Sequence, residues 1–264
     1  MDRHDLQKLA ADPKYVKGIY NYCDRWCERC PFTSRCLNCE LVERKFGDLE
    51  EKDELNEAFW QRFSEMLHDT LELVRETARE RGIDLDAIEA DEDGWGEWDD
   101  EKNPAVHLIM HASQRYADSV SDWFESNAGL FVEKESDLNR IRIATPASDP
   151  SADAVRINDA TEVIQWYQHQ IGVKLRRAVE GARSEEDEDD DGFPNDSDGS
   201  AKVALIGIDR SIAAWEMLRS SFAKQKQTIS NFMGSLERLR RSVEAQFPQA
   251  RTFVRPGFDD VGTL

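Results

Sequence analysis

Apolar side chains recur three, four and seven residues apart over much of this chain, which is the spacing of one face of an α-helix. Four segments carry the pattern, at 49–81, 103–129, 159–182 and 200–222. No succession of short segments that alternate apolar and polar residues, as β-strands do, accompanies them. We therefore predict an all-α fold built as a bundle of about four long helices.

The buried face of each predicted helix follows from its phase. In chain order the faces comprise Leu55, Phe59, Phe63, Met66, Thr70, Leu73, Val74 and Thr77; Val106, Ile109, Tyr116, Val120, Trp123 and Phe124; Val163, Ile164, Tyr167, Ile171, Leu175 and Ala178; and Val203, Leu205, Ile206, Ile208, Ile212, Ala214, Trp215 and Leu218. The fourth helix is apolar nearly all round, so we expect it to be the most buried.

Proline and glycine residues suggest where the helices begin and end. Gly82 follows the first helix, and Pro104 occupies the first position of the second, which we expect to end near Gly129. The stretch from 129 to 155 is predicted to be an irregular covering segment or to carry a short helix. The fourth helix has an apolar pattern that can continue as far as Val243.

Composition divides the chain into segments. We predict a cysteine-rich metal-binding segment at 1–45, the helical bundle at 46–247 and an open tail at 248–264. Acidic linkers interrupt the bundle at 84–101 and 184–198, where the residues cannot bury enough apolar surface to fold. Residues 187–198 also match the spacing of a calcium loop, a pattern that an acidic linker produces readily by chance.

All five cysteines of the chain lie within seventeen residues, at Cys23, Cys27, Cys30, Cys36 and Cys39. A disulfide framework is typical of small secreted chains, whereas this chain has 264 residues and no secretory signal at its start. We therefore predict a cytoplasmic protein in which these thiols bind a metal.

Spacing suggests two alternative ligand sets. The pairs Cys27/Cys30 and Cys36/Cys39 would complete the tetrahedral thiolate shell of a zinc ion. Cys23, Cys27, Cys30 and Cys36 would instead hold an iron-sulfur cluster, with Pro31 stiffening the loop between ligands. We expect Trp26 and Phe32 to cover either site.

The run Cys27-x2-Cys30-Pro31-Phe32-x3-Cys36 resembles the C-x2-C-x5-C loop of endonuclease III-type DNA glycosylases and of recombination or CRISPR-associated nucleases. The resemblance covers about fourteen residues. It implies a [4Fe-4S] cluster, with Cys23 as the fourth ligand on the N-terminal side. It also raises an iron-sulfur enzyme of nucleic-acid metabolism as one possible function.

Charge and hydropathy limit the partners. The chain has 54 acidic and 34 basic residues, a net charge of −20, which opposes binding to nucleic-acid phosphates. No apolar run approaches the roughly 20 residues of a membrane span. We therefore expect a protein or redox partner, and rank a cluster-bearing redox or regulatory role first and a zinc-stapled interaction module second.

A helical bundle also raises a di-metal oxidoreductase, because Glu65-x2-His68 has the spacing of helical metal ligands. Its phase opposes this interpretation. Glu65 and His68 point away from the apolar face of their helix, and His107, His111 and His169 do the same in theirs. We therefore expect all four histidines to face solvent.

No motif for nucleophilic or nucleotide chemistry occurs in the sequence, neither G-x-S-x-G nor a P-loop. One set of charged residues interrupts the apolar fourth helix and has to be paired wherever it is buried. It comprises Lys202, Asp209, Arg210 and Glu216, with Lys174 from the third helix. We expect a structural network of ion pairs rather than an active site.

Overall fold

The structure is a computed structural model that describes residues 3–48, 57–83, 85, 104–144, 150–184 and 196–260. Within these ranges the chain forms seven α-helices and no β-strand, so the all-α prediction is confirmed. The helices are α1 (Arg3–Ala10), α2 (Leu37–Phe46), α3 (Glu57–Glu80), α4 (Pro104–Ala144), α5 (Pro150–Ser184), α6 (Asp196–Ser221) and α7 (Lys226–Gln246).

Two compact units make up the fold. Residues 1–98 and 255–264 form the first unit, which contains α1 to α3, and residues 99–254 form the second, which contains α4 to α7. The boundaries of these units differ from the segment boundaries expected from composition. The predicted segment boundaries stay a prediction.

Helices α5 and α6 make the most extensive helix contact of the second unit. Arg210 donates to the Tyr167 hydroxyl and Arg177 donates to Asp196, so the two helices run antiparallel. The helices approach closely at Gly207, where an added Cβ would lie 2.8 Å from Cδ1 of Tyr167. A residue without a side chain is therefore required at this crossing.

Helix α6 supplies much of the core, as its all-round apolar pattern predicts. Val203, Leu205, Ile208, Trp215 and Leu218 are each at most 2% exposed. Because these residues do not share one face, α6 has to be covered on several sides. It packs against both α5 and α7.

An aromatic cluster joins α6 to its other neighbours. The Trp215 ring lies 5.2 Å from Trp123 of α4 and 4.8 Å from Phe232 of α7, between ring centroids. Its Nε1 donates to the hydroxyl of Tyr116 at 2.9 Å, which satisfies the one polar group of a fully buried side chain.

The apolar pattern that could have extended the fourth helix to Val243 belongs to two helices. The backbone leaves the helical region at Phe222 (φ −118°, ψ 80°) and turns through a 3₁₀ segment at Ala223–Gln225 before α7 begins. This turn lets Phe232, Leu236 and Val243 bury against the second unit instead of continuing into solvent.

Helix α4 continues to Ala144, so the predicted end near Gly129 and the irregular segment after it are wrong for residues up to 144. The irregularity lies at Asn127 (φ −119°, ψ 15°), whose side chain donates to Trp123 O at 2.8 Å. Gln225 then donates to Oδ1 of Asn127. A side chain that bonds to the backbone of its own helix is a known cause of a local break. Gly129 does not cause the break, and a Cβ added there would have no neighbouring atom within 4 Å.

Other boundaries also differ from expectation. Helix α5 begins at Pro150, earlier than expected, and α6 begins at Asp196, so the last residues predicted as the 184–198 linker are helical. Residues 185–195, which include most of the calcium-like run, lie outside the described part of the chain, as do 49–56 and all of 84–101 except 85. The last position of that run, Asp198, lies in the first turn of α6.

Helix α3 buries less of its apolar face than its pattern predicts. Phe59 packs against Phe46 of α2, with ring centroids 5.3 Å apart. Val74, expected in the core, is 49% exposed, and Trp60, Leu67 and Leu71 are about equally open at 48% to 54%. The apolar periodicity predicted the helix, but it could not predict how much of the apolar face is buried.

Two glycines provide a matched test of the helix packing. Gly207→Ala should lower the free energy of unfolding by about 1–3 kcal/mol, because the new methyl group overpacks against Tyr167. Gly129→Ala should raise it by about 0.5–1 kcal/mol, since the position is helical and open. Urea unfolding measures both, and equal effects of the two changes would contradict the described packing.

Candidate metal site in the cysteine-rich segment

Short turns place the cysteines. Cys27–Arg29 is a 3₁₀ turn that closes when the Cys30 N–H donates to Cys27 O at 3.1 Å. A second turn at Thr33–Arg35 ends at Cys36, which is also the residue before α2. Cys27 and Cys30 therefore flank one tight turn, whereas Cys36 precedes α2 and Cys39 lies in its first turn. Both pairs have the short spacing that zinc and iron-sulfur ligand pairs use.

The five cysteine side chains line a single cavity of the first unit. Cys27 is exposed and the other four are partly buried, and all five are free thiols. The structure thus brings together every cysteine that the sequence singled out, including both alternative fourth ligands, Cys23 and Cys39.

Burial and mutual proximity raise the pKa values of three of the thiols. Burial raises the pKa of Cys27 to about 11, and the neighbouring Cys39, Cys23 and Cys36 add to the rise because adjacent thiolates repel one another. Burial likewise raises the pKa of Cys30, and of Cys39 with help from Cys36. At neutral pH these thiols cannot ionise readily without a cation to balance them.

Hydrogen bonds hold several of the sulfur atoms. The Phe32 N–H donates to Cys30 Sγ at 3.4 Å, which opposes the rise in the pKa of Cys30. Cys23 Sγ donates to Tyr20 O at 3.6 Å. Burial raises the pKa of Cys39, and a side-chain interaction with Cys27 opposes part of that rise.

The backbone between the first two cysteines is strained. Arg25 has φ 60°, a left-handed conformation that non-glycine residues rarely adopt, and it lies between Cys23 and Cys27. Its carbonyl accepts a bond from the Cys27 N–H at 3.0 Å. The turn is therefore fixed in a geometry that directs both cysteines to the same cavity.

Aromatic side chains line the cavity. Trp26 does so, as expected, and the centroid of its ring lies 4.0 Å from Cζ of Arg29. Phe258 also lines it and packs edge-on against Phe32, with centroids 5.0 Å apart. No signal in the sequence pointed to Phe258, which comes from the stretch expected to be an open tail.

The Phe258 segment is held in place by its own contacts. Arg255 lies 4.7 Å from the Phe258 ring and pairs with Asp259 at 3.0 Å. Gly257 (φ 76°) packs so closely on Ile19 that an added Cβ would lie 3.0 Å from its Cδ1. Residues 255–259 are thus part of the cysteine site rather than of an open tail.

Throughout the part of the chain that the structure describes, no three His, Cys, Asp or Glu side chains are arranged closely enough to hold one metal ion. This applies to the cysteines and to the carboxylate and histidine residues considered for a di-metal centre. His68 is exposed and pairs with Glu72 at 3.4 Å, and His169 is exposed beside Gln168.

The remaining histidines contact each other on α4. The rings of His107 and His111 lie 4.1 Å apart between centroids, with His111 exposed and His107 partly so. Glu65 is exposed as well. These positions agree with the expectation that the histidines point away from the helical core.

The charged residues of α6 reach different partners. Asp209 accepts from Arg251 at 2.6 Å, and Lys202 donates to Phe253 O. Glu216 pairs with Arg219 at 2.8 Å. Arg210 bonds to Tyr167, and Lys174 is buried. These contacts fit a structural role rather than a shared active site.

The Phe258 wall can be tested by cysteine accessibility. Phe258→Ala should speed alkylation of the metal-free protein by N-ethylmaleimide several-fold, because the ring covers the thiols. Val254→Ala, at a 58% exposed position of the same segment, is the control and should leave the rate unchanged. Equal rates for both variants and the parent would show that Phe258 does not shield the cavity.

No helix in the described ranges is both long enough and apolar enough to cross a membrane. Comparison of the chain with protein-family models, curated proteins and solved structures gave no match.

Proposed function

We propose that the cysteine-rich segment holds a [4Fe-4S] cluster and that the protein has a redox or regulatory role. The ligands in this proposal are Cys23, Cys27, Cys30 and Cys36. The observation that carries it is the convergence of every cysteine of the chain on one cavity with no disulfide among them.

The electrostatics of the cavity favour a metal over free thiols. Thiolates here are destabilised by burial and by one another, as the raised pKa of Cys27 indicates. A bound cationic centre removes that penalty, because thiolate ligands share their charge with it. The proposal requires the sulfur atoms to move closer together as the metal binds.

The surroundings suit a cluster in particular. The Phe32 N–H that bonds to Cys30 Sγ is the kind of hydrogen bond that tunes the potential of a thiolate-bound cluster. Trp26 and Phe258 limit the access of water, which also shifts the potential. When bound, the cluster would supply one-electron transfer, and the chain would supply the ligands and the shielding.

We further propose that α4 to α7 form a bundle of four long helices, which differs from the predicted bundle in leaving out α3 and counting α7 separately from α6. Mutual packing of α4 with α5 and α7, and of α6 with α5 and α7, supports this. The net charge of −20 favours a protein or redox partner over nucleic acid, so the iron-sulfur enzyme of nucleic-acid metabolism ranks lower.

Zinc in an interaction module is the second candidate, and one observation favours it. Cys39 lines the same cavity as the other cysteines, so all members of a shell of Cys27, Cys30, Cys36 and Cys39 are present there. Such a centre would staple the turn before α2 without any redox chemistry.

Two serine variants separate the ligand sets, because the sets differ only in their fourth cysteine. Cys23→Ser should lose most of the bound metal, since it opens one coordination position of the cluster. Cys39→Ser, the matched control in the same cavity, should keep it. Metal content per chain is measured by plasma mass spectrometry after anaerobic purification.

The reverse pattern, with metal kept in Cys23→Ser and lost from Cys39→Ser, would reject the cluster ligand set and place the zinc module first. Retention of metal in both variants would reject both sets.

A further inference from the structure

Two histidines lie one turn apart on the surface of α4, outside the cysteine site. The centroids of the His107 and His111 rings are 4.1 Å apart, with 55° between the ring planes. His111 is exposed and His107 is partly exposed, so ions in solvent can reach both rings. Residues four apart on a helix are neighbours on its surface, so the backbone of α4 keeps the two rings close. The helix therefore presents the two imidazoles to solvent as a pair.

The distance between the rings suits one metal ion bound by both. A metal–nitrogen bond to imidazole is about 2.0–2.1 Å long, so two nitrogens on one ion lie within about 4 Å of each other. Rings whose centroids are 4.1 Å apart can each bring one nitrogen to such an ion by rotating about their side-chain bonds. Helical zinc motifs also use two histidines four residues apart on one face.

We propose that His107 and His111 bind one divalent transition-metal ion of the kind that prefers imidazole ligands, such as Cu²⁺, Ni²⁺ or Zn²⁺. In the described ranges no third His, Cys, Asp or Glu side chain completes the shell, so water fills the remaining coordination positions. Such an ion exchanges with solvent and has no structural role. The site does not depend on the cysteine centre, whose residues belong to the first unit, whereas α4 belongs to the second.

The charges around the pair are mixed. Gln114 and Asp118 continue the same stripe of α4, and the Asp118 carboxylate accepts a hydrogen bond from Gln114 at 2.8 Å. Asp118 lies about 10 Å along the helix from His111, so it attracts a cation without binding it directly. Arg115, one turn after His111, has the opposite effect. The two rings together therefore have to supply the affinity.

The NMR signals of the imidazole protons report on this site without interference from the cysteines. The chain has five histidines, whose signals can be assigned with single His→Gln variants. Stepwise addition of NiCl₂ to the full-length protein should broaden the signals of His107 and His111 first, because bound Ni²⁺ is paramagnetic. His68 and His169 are exposed and have no second histidine one turn away, so they are the internal controls.

Loss of either ring should remove the shared site. In His111→Gln, the Ni²⁺ concentration that half-broadens the His107 signals should rise about tenfold or more, because a second ligand on the same helix no longer binds intramolecularly. His107→Gln should have the same effect on the His111 signals. His169→Gln is the matched control and should leave both unchanged. These positions lie outside the core, so we expect the fold of each variant to be retained.

Two results would overturn the proposal. Broadening of His68, His107, His111 and His169 at the same Ni²⁺ concentration in the parent would show that the rings bind metal independently. An unchanged half-broadening concentration for His107 in His111→Gln would show that the second ring contributes nothing.

Discussion

Burial and crowding of the thiols are the constraint on which the cysteine site depends. Burial, with the neighbouring Cys39, Cys23 and Cys36, raises the pKa of Cys27 to about 11, so this thiol is costly to ionise in the cavity. A fold that only needed small buried side chains would gain nothing from this arrangement. The cost becomes useful when a cation binds, because the same crowding then supplies several thiolate ligands together.

The rest of the first unit maintains that crowding. One tight turn joins Cys27 to Cys30, the start of α2 holds Cys36 and Cys39, the left-handed Arg25 lies between Cys23 and Cys27, and the segment at 255–259 brings Phe258 to the cavity. A metal centre in this cavity would be partly shielded from solvent and yet accessible from it. That combination suits a redox or sensing role better than a purely structural one.

Patterns in the sequence predicted the features of the fold that depend on neighbouring residues. Helical periodicity identified the all-α fold and the buried α6, and cysteine spacing identified the residues that share a cavity. The phase of the helices also placed the histidines outside the core. These features depend on residues within a turn or two of each other, so a single sequence contains them.

Features that depend on distant contacts could not be predicted. Phe258 reaches the cysteine cavity across nearly the whole chain, and no pattern in its own segment indicates this. The break at Asn127 depends on its side chain and on Gln225 from the α6–α7 turn, not on the nearby Gly129. Likewise the exposed Val74 shows that an apolar stripe does not reveal what covers it.

Iron and acid-labile sulfide per chain, measured on anaerobically purified full-length protein, test the central claim most directly. The account predicts about four iron and four sulfide per chain. One zinc per chain without sulfide would contradict the cluster and favour the zinc module, and absence of both metals would contradict a metal centre in this cavity.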